Sequence, residues 1–441
     1  MRIIYFIMKI LLTWPLSVLF SRRALVNNPK QLHARTIYVS NHPSSFMDPL
    51  VIAALTRPSI FFMTRADVFT KITKPLFWGA QMLPIYRQLD GGDGAKKNEV
   101  IFNQCAKLLK NGRNLLIFSE GFTDDVFIRR LKPIKKGAVR IGFQSLEKIN
   151  WKKKIYIQAI GCNYSDPKLM RSDLLISYAD KICMNDYKEQ YLEDPNKTIN
   201  ELTKEVESLM QEQITHIKDL EIAPFHEQVM KITRKGMNAL NFDKAIPLKK
   251  RWKYSQSLAI WLNNNDKDQD KLDEIQSTTE TYFNRLEEIS ISENMIFWKK
   301  ENPQGSRKSE LSRFLLLLPL AIIGALHCAI PYLWTKKFTE KTMKRPVFWS
   351  SVKLFLGELT IAVFNIILLA VIYNLTAING WFFVAYFFSI GITGPIAYIA
   401  MTHWKRYKEK GRINQMDLSS IIEQRKSLEA KLKLFLPEEF H

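Results

Sequence analysis

The sequence has few of the residues that build metal sites and disulfide frameworks. Its 441 residues include only four cysteines and seven histidines. The cysteines, at positions 105, 162, 183 and 328, follow neither a zinc-site spacing nor a disulfide pattern, and no H-E-x-x-H motif or Cys–His cluster occurs. We therefore predict no metal cofactor. The cysteine usage fits a reducing compartment.

Acidic residues are also scarce relative to basic ones. The chain has 64 Lys+Arg against 43 Asp+Glu, which gives a formal net charge of +21. Such a balance indicates an anionic partner, which could be nucleic acid, an acidic carrier or a negatively charged membrane leaflet. Because the basic residues are not interleaved with stacking aromatics in one module, we predict no nucleic-acid partner. The hydrophobic segments favour a phospholipid membrane instead.

Three long apolar segments lie in the C-terminal third of the chain, at residues 314–333, 354–373 and 381–401. Each approaches the roughly 20 apolar residues that cross a bilayer. A further apolar stretch, residues 1–20, contains two charged residues and is not followed by a small-residue cleavage pattern. We predict that it is an interfacial anchor and not a cleaved signal peptide.

The charges beside these segments predict an orientation. Residues 335–353 and 405–412 are basic, whereas residues 374–379 carry no charge. By the positive-inside rule, the second and third segments form a hairpin between two cytoplasmic ends. A full crossing by the first segment would put the preceding chain on the opposite side from the basic loop. Pro319, Gly324 and Pro331 therefore suggest a re-entrant or tilted first segment.

The strongest chemical signal is a histidine and an aspartate within residues 41–50. Residues 35–40 predict a buried strand, and residues 49–55 predict a helix with Pro49 at its first position and Asp48 as its cap. The carboxyl end of such a strand is where open α/β sheets bind ligands. Asp48 bound to one imidazole nitrogen of His42 would let the other nitrogen take a proton from a hydroxyl group. The alternative is that Asp48 only caps the helix and His42 is an ordinary turn residue.

Spacing restricts how the two side chains can meet. On one continuous helix, six steps of about 100° would leave them about 120° apart, so His42 must lie outside the helix. Three later segments, residues 83–87, 118–123 and 158–164, each accompany an apolar or strand-like stretch. In this order and spacing, the four segments resemble the blocks of the glycerol-3-phosphate and lysophosphatidate acyltransferase superfamily. The five-residue spacer between His42 and Asp48 resembles the branch that has C-terminal membrane segments.

The resemblance implies a role for individual residues. His42 would be the general base that deprotonates the acceptor hydroxyl, and Asp48 would orient it. Arg87, in the second block, would bind the phosphate of the acceptor, which suits its fork of donors. Glu120 and Gly121, in the third block, would shape the acceptor pocket, where glycine permits a close approach of the backbone.

The third block departs from the family pattern. It lacks the usual leading proline and the arginine that often follows the glycine, and Asp124 and Asp125 stand in that region. Positive charge arrives later, in residues 128–140. Lys136 and Arg140 are our preferred positions for holding a phosphate or the acidic end of an acyl carrier. A solvated basic turn is the alternative.

The resemblance also implies a fold and a domain order. We expect an α/β fold with a mixed central β-sheet flanked by helices, followed by a helical region and C-terminal transmembrane helices. The predicted boundaries are a membrane-associated helix at 1–24, a catalytic domain at 25–222, a helical region at 223–312, transmembrane segments at 313–402 and a basic polar tail at 403–441. The catalytic domain would lie on the cytoplasmic face.

The implied function is membrane-bound transfer of a fatty acyl group in phospholipid synthesis. The donor would be acyl-CoA or acyl carrier protein, acting as co-substrate without a further cofactor, and the acceptor would be glycerol-3-phosphate or lysophosphatidate. Acylation of another lysophospholipid is an alternative within the class. A His/Asp hydrolase and a non-enzymatic membrane protein are alternatives outside it.

Overall fold

The computed structural model describes residues 2–31, 34–71, 73–85, 94–264, 268–301, 306–376 and 379–440. The chain forms two compact units. The first comprises Met1–Ala223 and Pro247–Asn263, and the second comprises Pro224–Ile246 and Asn264–His441.

The first unit is built on a mixed β-sheet, to which the described residues contribute eight strands. In chain order these are β1 (Phe20–Val26), β2 (Thr36–Ser40), β3 (Ile60–Arg65), β4 (Met82–Ile85), β5 (Asn114–Ile117), β6 (Tyr156–Tyr164), β7 (Ser172–Tyr178) and β8 (Ile182–Cys183). Their spatial order is β1-β7-β6-β2-β5-β3-β4, with β8 paired to β6. β2 is parallel to both of its neighbours, β5 and β6, whereas β6 and β7 are antiparallel.

Every residue of β2 and β5 is buried. Central parallel strands are covered on both faces, which is why these short strands are mostly apolar. The helices of this unit are α1 (Arg2–Leu19), α2 (Met47–Leu55), α3 (Thr73–Gly79), α4 (Gly94–Lys110), α5 (Gly137–Lys148), α6 (Lys188–Glu193), α7 (Pro195–Glu212) and α9 (Leu248–Asn263). Apolar residues of α4, α5 and α7 form one core cluster with those of the sheet.

The end of α7 is fixed against the sheet by one carbonyl group. Gln213 O accepts hydrogen bonds from Asn163 Nδ2 (2.9 Å) and Ser177 Oγ (2.7 Å). A Cβ added at Gly161 of β6 would lie 2.0 Å from the same oxygen. The helix end can approach β6 this closely only because residue 161 has no side chain.

A buried ion pair connects α9 with the edge of the sheet. Asp173 of β7 is fully buried and pairs with Arg251 of α9 at 2.6 Å and with Arg22 of β1. Arg251 is also almost fully buried. Because a buried carboxylate without a cation is costly, Asp173 fixes both elements to β7.

The second unit is helical in its described residues. Its helices are α8 (Ala223–Thr233), α10 (Gln269–Glu288), α11 (Glu293–Glu301), α12 (Ser306–Thr342), α13 (Trp349–Leu375), α14 (Gly380–Asn414) and α15 (Ser419–Phe435). Three stretches, Arg307–Thr342, Pro346–Leu375 and Gly380–Asn414, are long and apolar enough to cross a membrane. They contain the three apolar segments predicted from the sequence. α12 continues without a break through Pro319 and Pro331.

The two units confirm the predicted fold class. A mixed central sheet is flanked by helices, and a helical region with three long apolar helices follows it.

The close approach at Gly161 leads to a stability prediction. Gly161→Ala should lower the free energy of unfolding by about 1–3 kcal/mol, because its new methyl group overlaps a carbonyl that is already held by two donors. Gly137→Ala is the matched control, since a Cβ there meets nothing within 4 Å. Thermal unfolding of the purified protein should show a lower midpoint only for the first variant. Equal midpoints for the two variants would contradict the packing argument.

Candidate active site

The predicted pair of His42 and Asp48 is in direct contact. β2 ends at Ser40 and α2 begins at Met47, so His42 lies in the connecting turn, outside the helix as predicted. His42 Nδ1 lies 2.9 Å from Asp48 Oδ2. The carboxylate is fully buried, whereas the His42 side chain retains 20% of its exposure. The imidazole is therefore held from the protein side and remains reachable from solvent.

The prediction that Asp48 caps the helix was wrong. α2 starts two residues before Pro49, with Phe46 at the cap position and Asp48 inside the first turn. The Asp48 carboxylate accepts the N–H of Ser44 at Oδ2 (2.9 Å) and the hydroxyl of Tyr164 at Oδ1 (2.8 Å). Both carboxylate oxygens therefore accept hydrogen bonds. The alternative that Asp48 only caps the helix and that His42 is an ordinary turn residue does not fit this turn.

Glu120 approaches the same histidine from the neighbouring strand. β5 is parallel to β2, so the residues that follow both strands emerge at the same edge of the sheet. Glu120 Oε1 accepts the backbone N–H of His42 at 2.8 Å. The Phe118 ring stacks on the imidazole, with 4.2 Å between ring centroids. One carboxylate therefore holds the His42 ring, and another holds its backbone.

A lysine that the sequence reasoning missed pairs with Glu120. Lys132 Nζ lies 3.4 Å from Glu120 Oε2 and 3.3 Å from Asp124 Oδ2. Arg130 binds the Asp124 carboxylate through two nitrogens. Burial raises the pKa of Glu120 above its usual value, and Lys132 and the His42 N–H act in the opposite direction. Lys132 lies in the basic stretch at 128–140, in which the sequence favours Lys136 and Arg140 instead.

Gly121 has a conformation that requires glycine. Its φ is +80°, in the left-handed region. A Cβ there would meet the Lys135 side chain at 2.7 Å. The Lys135 N–H donates to Ser119 O at 2.9 Å, which folds the basic stretch back onto the third block.

The remaining predicted residues lie elsewhere. Lys136 directly precedes α5 and Arg140 lies in its first turn, and both are exposed. Within the described residues, neither has a hydrogen bond or ion pair with His42, Asp48 or Glu120. Arg87 lies outside the described residues, two positions after the end of β4.

The fourth block supplies two contacts that were not assigned from the sequence. The Asn41 side chain exchanges two hydrogen bonds with the backbone of Cys162, at 2.8 and 3.1 Å, which fixes the turn to β6. Burial, together with the Asp48 carboxylate, raises the pKa of Tyr164 well above its usual value. Tyr164 therefore stays protonated and donates to Asp48. The available signals were that Asn41 adjoins His42 and that Tyr164 ends the fourth block.

A pocket lies next to the His42–Asp48 pair, on the side of β6. Its lining includes Asn41 and Pro43 next to His42, and Arg129, Arg130 and Tyr164. Arg129 is held by backbone carbonyl groups, donating to Tyr164 O at 2.7 Å and to a neighbouring carbonyl. Positively charged side chains therefore lie beside the His42–Asp48 pair. No group of three or more His, Cys, Asp or Glu that could hold a metal ion was found among the described residues.

Comparisons with known proteins identify this region. Residues 23–163 match the sequence family described as Acyltransferase. The solved structures that match include the 1-acyl-sn-glycerophosphate (LPA) acyltransferase PlsC from Thermotoga maritima. That match has 18% identity and a TM-score of 0.30, and it covers 47% of this chain and 79% of that one. No curated protein matches significantly.

The acyltransferase assignment follows from the family match. That match includes His42, Asp48, Glu120 and Gly121 and reaches into β6. Residues 23–163 therefore carry an acyltransferase domain, as the four sequence blocks predict.

Proposed function

We propose that this protein is a membrane-bound O-acyltransferase of phospholipid synthesis. It transfers a fatty acyl group from acyl-CoA or acyl carrier protein to a hydroxyl of glycerol-3-phosphate or lysophosphatidate. The observation that carries the proposal is the His42–Asp48 contact of 2.9 Å, located in the segment that matches the acyltransferase family.

The chemistry is direct acyl transfer. Because Nδ1 of His42 binds Asp48, Nε2 is the nitrogen that takes the proton of the acceptor hydroxyl. The acceptor oxygen attacks the thioester carbonyl, forming a C–O bond, and the C–S bond of the donor then breaks. The leaving thiolate takes the proton from the imidazolium, so the histidine is restored. This route requires no serine or cysteine nucleophile and no further cofactor.

Asp48 serves this cycle by stabilising the imidazolium. Its other partners, Ser44 N–H and Tyr164 hydroxyl, fix the direction of the carboxylate before substrate arrives. A preorganised carboxylate does not have to reorient when the positive charge develops.

Three cations predicted from the sequence would suit a phosphorylated acceptor and an acidic donor. We assign Arg87 to the acceptor phosphate, as the sequence resemblance implies. Lys136 and Arg140, exposed at the start of α5, are assigned to a phosphate or to the acidic end of the donor. Glu120 and Gly121 shape the acceptor pocket.

An apolar surface supports a membrane-borne substrate. α1 buries Tyr5 and Leu16 but leaves Ile3 75% and Ile10 72% exposed. Phe46, between His42 and Asp48, is 43% exposed. We propose that α1 lies in the membrane interface and that the catalytic domain faces the cytoplasm.

The first test is an activity assay on the full-length protein in phospholipid vesicles. Glycerol-3-phosphate, lysophosphatidate and another lysophospholipid are each supplied with acyl-CoA or acyl carrier protein. We expect an acylated product from one of the first two acceptors. We also expect His42→Ala to lower kcat by about 10²–10⁴-fold, the usual contribution of a general base, while the variant stays in the membrane fraction.

Three results would contradict the proposal. They are hydrolysis of the donor without acyl transfer, product formed only from the other lysophospholipid, and normal turnover by His42→Ala.

Tyr164→Phe tests the support of Asp48. A hydrogen bond to a charged group contributes about 1.5–3 kcal/mol, so losing the one to Asp48 should lower kcat by about 10–150-fold with little change in KM. Tyr187→Phe is the matched control, because its hydroxyl binds Glu205 at an exposed site, at 2.7 Å. Equal kcat values for the two variants would show that Tyr164 has no role in catalysis.

Lys132→Met tests how Glu120 is kept ionised. Without the cation, the pKa of Glu120 should rise further, so more of the carboxyl is protonated at a given pH and its bond to the His42 N–H weakens. We expect the acid limb of the pH–kcat profile to move to higher pH, and Lys132→Arg to restore it. Lys152→Met, at an exposed lysine, is the control. A Lys132→Met profile that coincides with that of the parent protein would refute this role.

A further inference from the structure

The polar helices of the second unit come from both sides of the apolar segments in the sequence. α8, α10 and α11 precede α12, whereas α15 follows α14. Arg425 of α15 is fully buried, pairs with Glu293 of α11 at 2.6 Å and donates to Ile232 O of α8. We call α8, α10, α11 and α15 the polar helical group.

Further contacts show that this group is one folded body. Lys300 of α11 pairs with Glu429 of α15 at 2.8 Å, and Lys431 of α15 pairs with Glu274 of α10 at 2.8 Å. Leu428 and Leu432 of α15 are buried as well. A body held by the buried Arg425–Glu293 ion pair and a shared apolar core cannot be divided between the two faces of a bilayer.

This body limits the number of membrane crossings. The chain leaves it at the start of α12 and rejoins it after α14. Because both ends lie on the same side, the intervening chain crosses an even number of times. Among the described residues of this stretch, three helices are apolar and long enough to cross, so they cannot all do so.

Contacts between α12 and α14 identify the crossing pair. At one end, Glu310 of α12 binds His403 at 2.6 Å and Lys410 at 2.9 Å. Near the middle, a Cβ on Gly324 would lie 2.0 Å from Thr393 O, so the two backbones are in close contact. The start of α12 therefore meets the end of α14, and the helices are antiparallel.

The paired helices are long enough to span the membrane. Thirty residues separate Glu310 from Glu340, which is about 45 Å of helix against about 30 Å of bilayer core. The C-terminal end of α12 and the N-terminal end of α14 are then both on the far side, opposite the polar helical group.

Both ends of α13 lie beside the far-side ends of the pair, which are the C-terminal end of α12 and the N-terminal end of α14. At its start, Lys353 pairs with Glu340 of α12 at 2.6 Å. At its finish, the Tyr373 ring lies 6.0 Å from that of Phe383, in the first turn of α14. At its middle, Asn365 donates to His327 O of α12 at 3.1 Å.

The Asn365 side chain also ties α13 to α14. Its Oδ1 accepts the hydroxyl of Tyr386 at 2.7 Å, and Asn365 itself is almost fully buried. A hydrogen-bonded amide among apolar helices holds the middle of α13 against both partners.

We propose that α12 and α14 cross the bilayer as an antiparallel pair, and that α13 begins and ends on the far side, within the far half of the membrane. Its lipid-facing residues Leu359, Ile366 and Ile367 are each more than half exposed. This arrangement differs from the hairpin of the second and third segments that charge alone predicts. It does not depend on the reaction that the first unit catalyses.

The charge distribution is compatible with the pair. Eight basic residues flank the near ends, at positions 307, 308, 313, 405, 406, 408, 410 and 412. Six flank the far ends, at positions 336, 337, 341, 344, 345 and 353. The side of the polar helical group is the more basic one, which is the cytoplasmic side by the positive-inside rule.

The test is labelling of single cysteines in the full-length protein, in sealed membrane vesicles of one orientation. Cys183 and Cys328, which are not fully buried, are first replaced by serine. Lys344→Cys and Asn379→Cys then mark the chain before and after α13, and Lys271→Cys and Lys426→Cys mark the polar helical group. A membrane-impermeant maleimide is applied before and after lysis, and every site must react after lysis.

We expect residues 344 and 379 to react from one side of the membrane and residues 271 and 426 from the other. Reaction of 344 and 379 from opposite sides would overturn the position of α13. Reaction of 271 and 426 from opposite sides would overturn the even number of crossings.

Discussion

The site depends on the burial of the Asp48 carboxylate. A charge removed from water needs partners, and Asp48 obtains them from the His42 ring, the Ser44 N–H and the Tyr164 hydroxyl. These groups belong to the turn after β2 and to the end of β6. The carboxylate can therefore be buried only when the turn, α2 and β6 are all in place.

Glu120, which follows β5, is a second buried carboxylate that contacts His42. It is buried as well, and it is satisfied by the His42 N–H and by Lys132. The sheet order places β2 between β5 and β6, so Glu120, which follows β5, and Tyr164, at the end of β6, contact the segment after β2 from its two neighbouring strands. Ring and backbone are thus fixed independently, and this leaves Nε2 as the reactive nitrogen.

The sequence predicted what depends on local pattern. The strand expected at 35–40 is β2, Thr36–Ser40, and the three apolar segments are helices. The contact between His42 and Asp48 was also predicted, on the condition that His42 lies outside the helix, and the structure shows both. The helix start was missed because proline at a first position is only a tendency, and here Ser44 and Asp48 form a turn that starts the helix earlier.

Residues that act over long separations could not be predicted in the same way. Tyr164 lies 116 positions from Asp48, and nothing in its local sequence indicates a buried carboxylate as its partner. Lys132 is one of several cations in a basic stretch. It pairs with Glu120 because the hydrogen bond between Lys135 and Ser119 folds this stretch back onto the third block.

The three long apolar helices also depend on contacts between distant residues, which local sequence does not predict. Hydropathy evaluates each segment alone, and by that criterion α13 is the most apolar of the three helices. Whether a helix crosses depends on where its two ends lie, and those positions are set by contacts such as Arg425 with Glu293, 132 residues apart. An apolar helix can satisfy its backbone inside the bilayer without reaching the other side. The number of spans is therefore a property of the folded unit, and an apolar sequence sets only its upper limit.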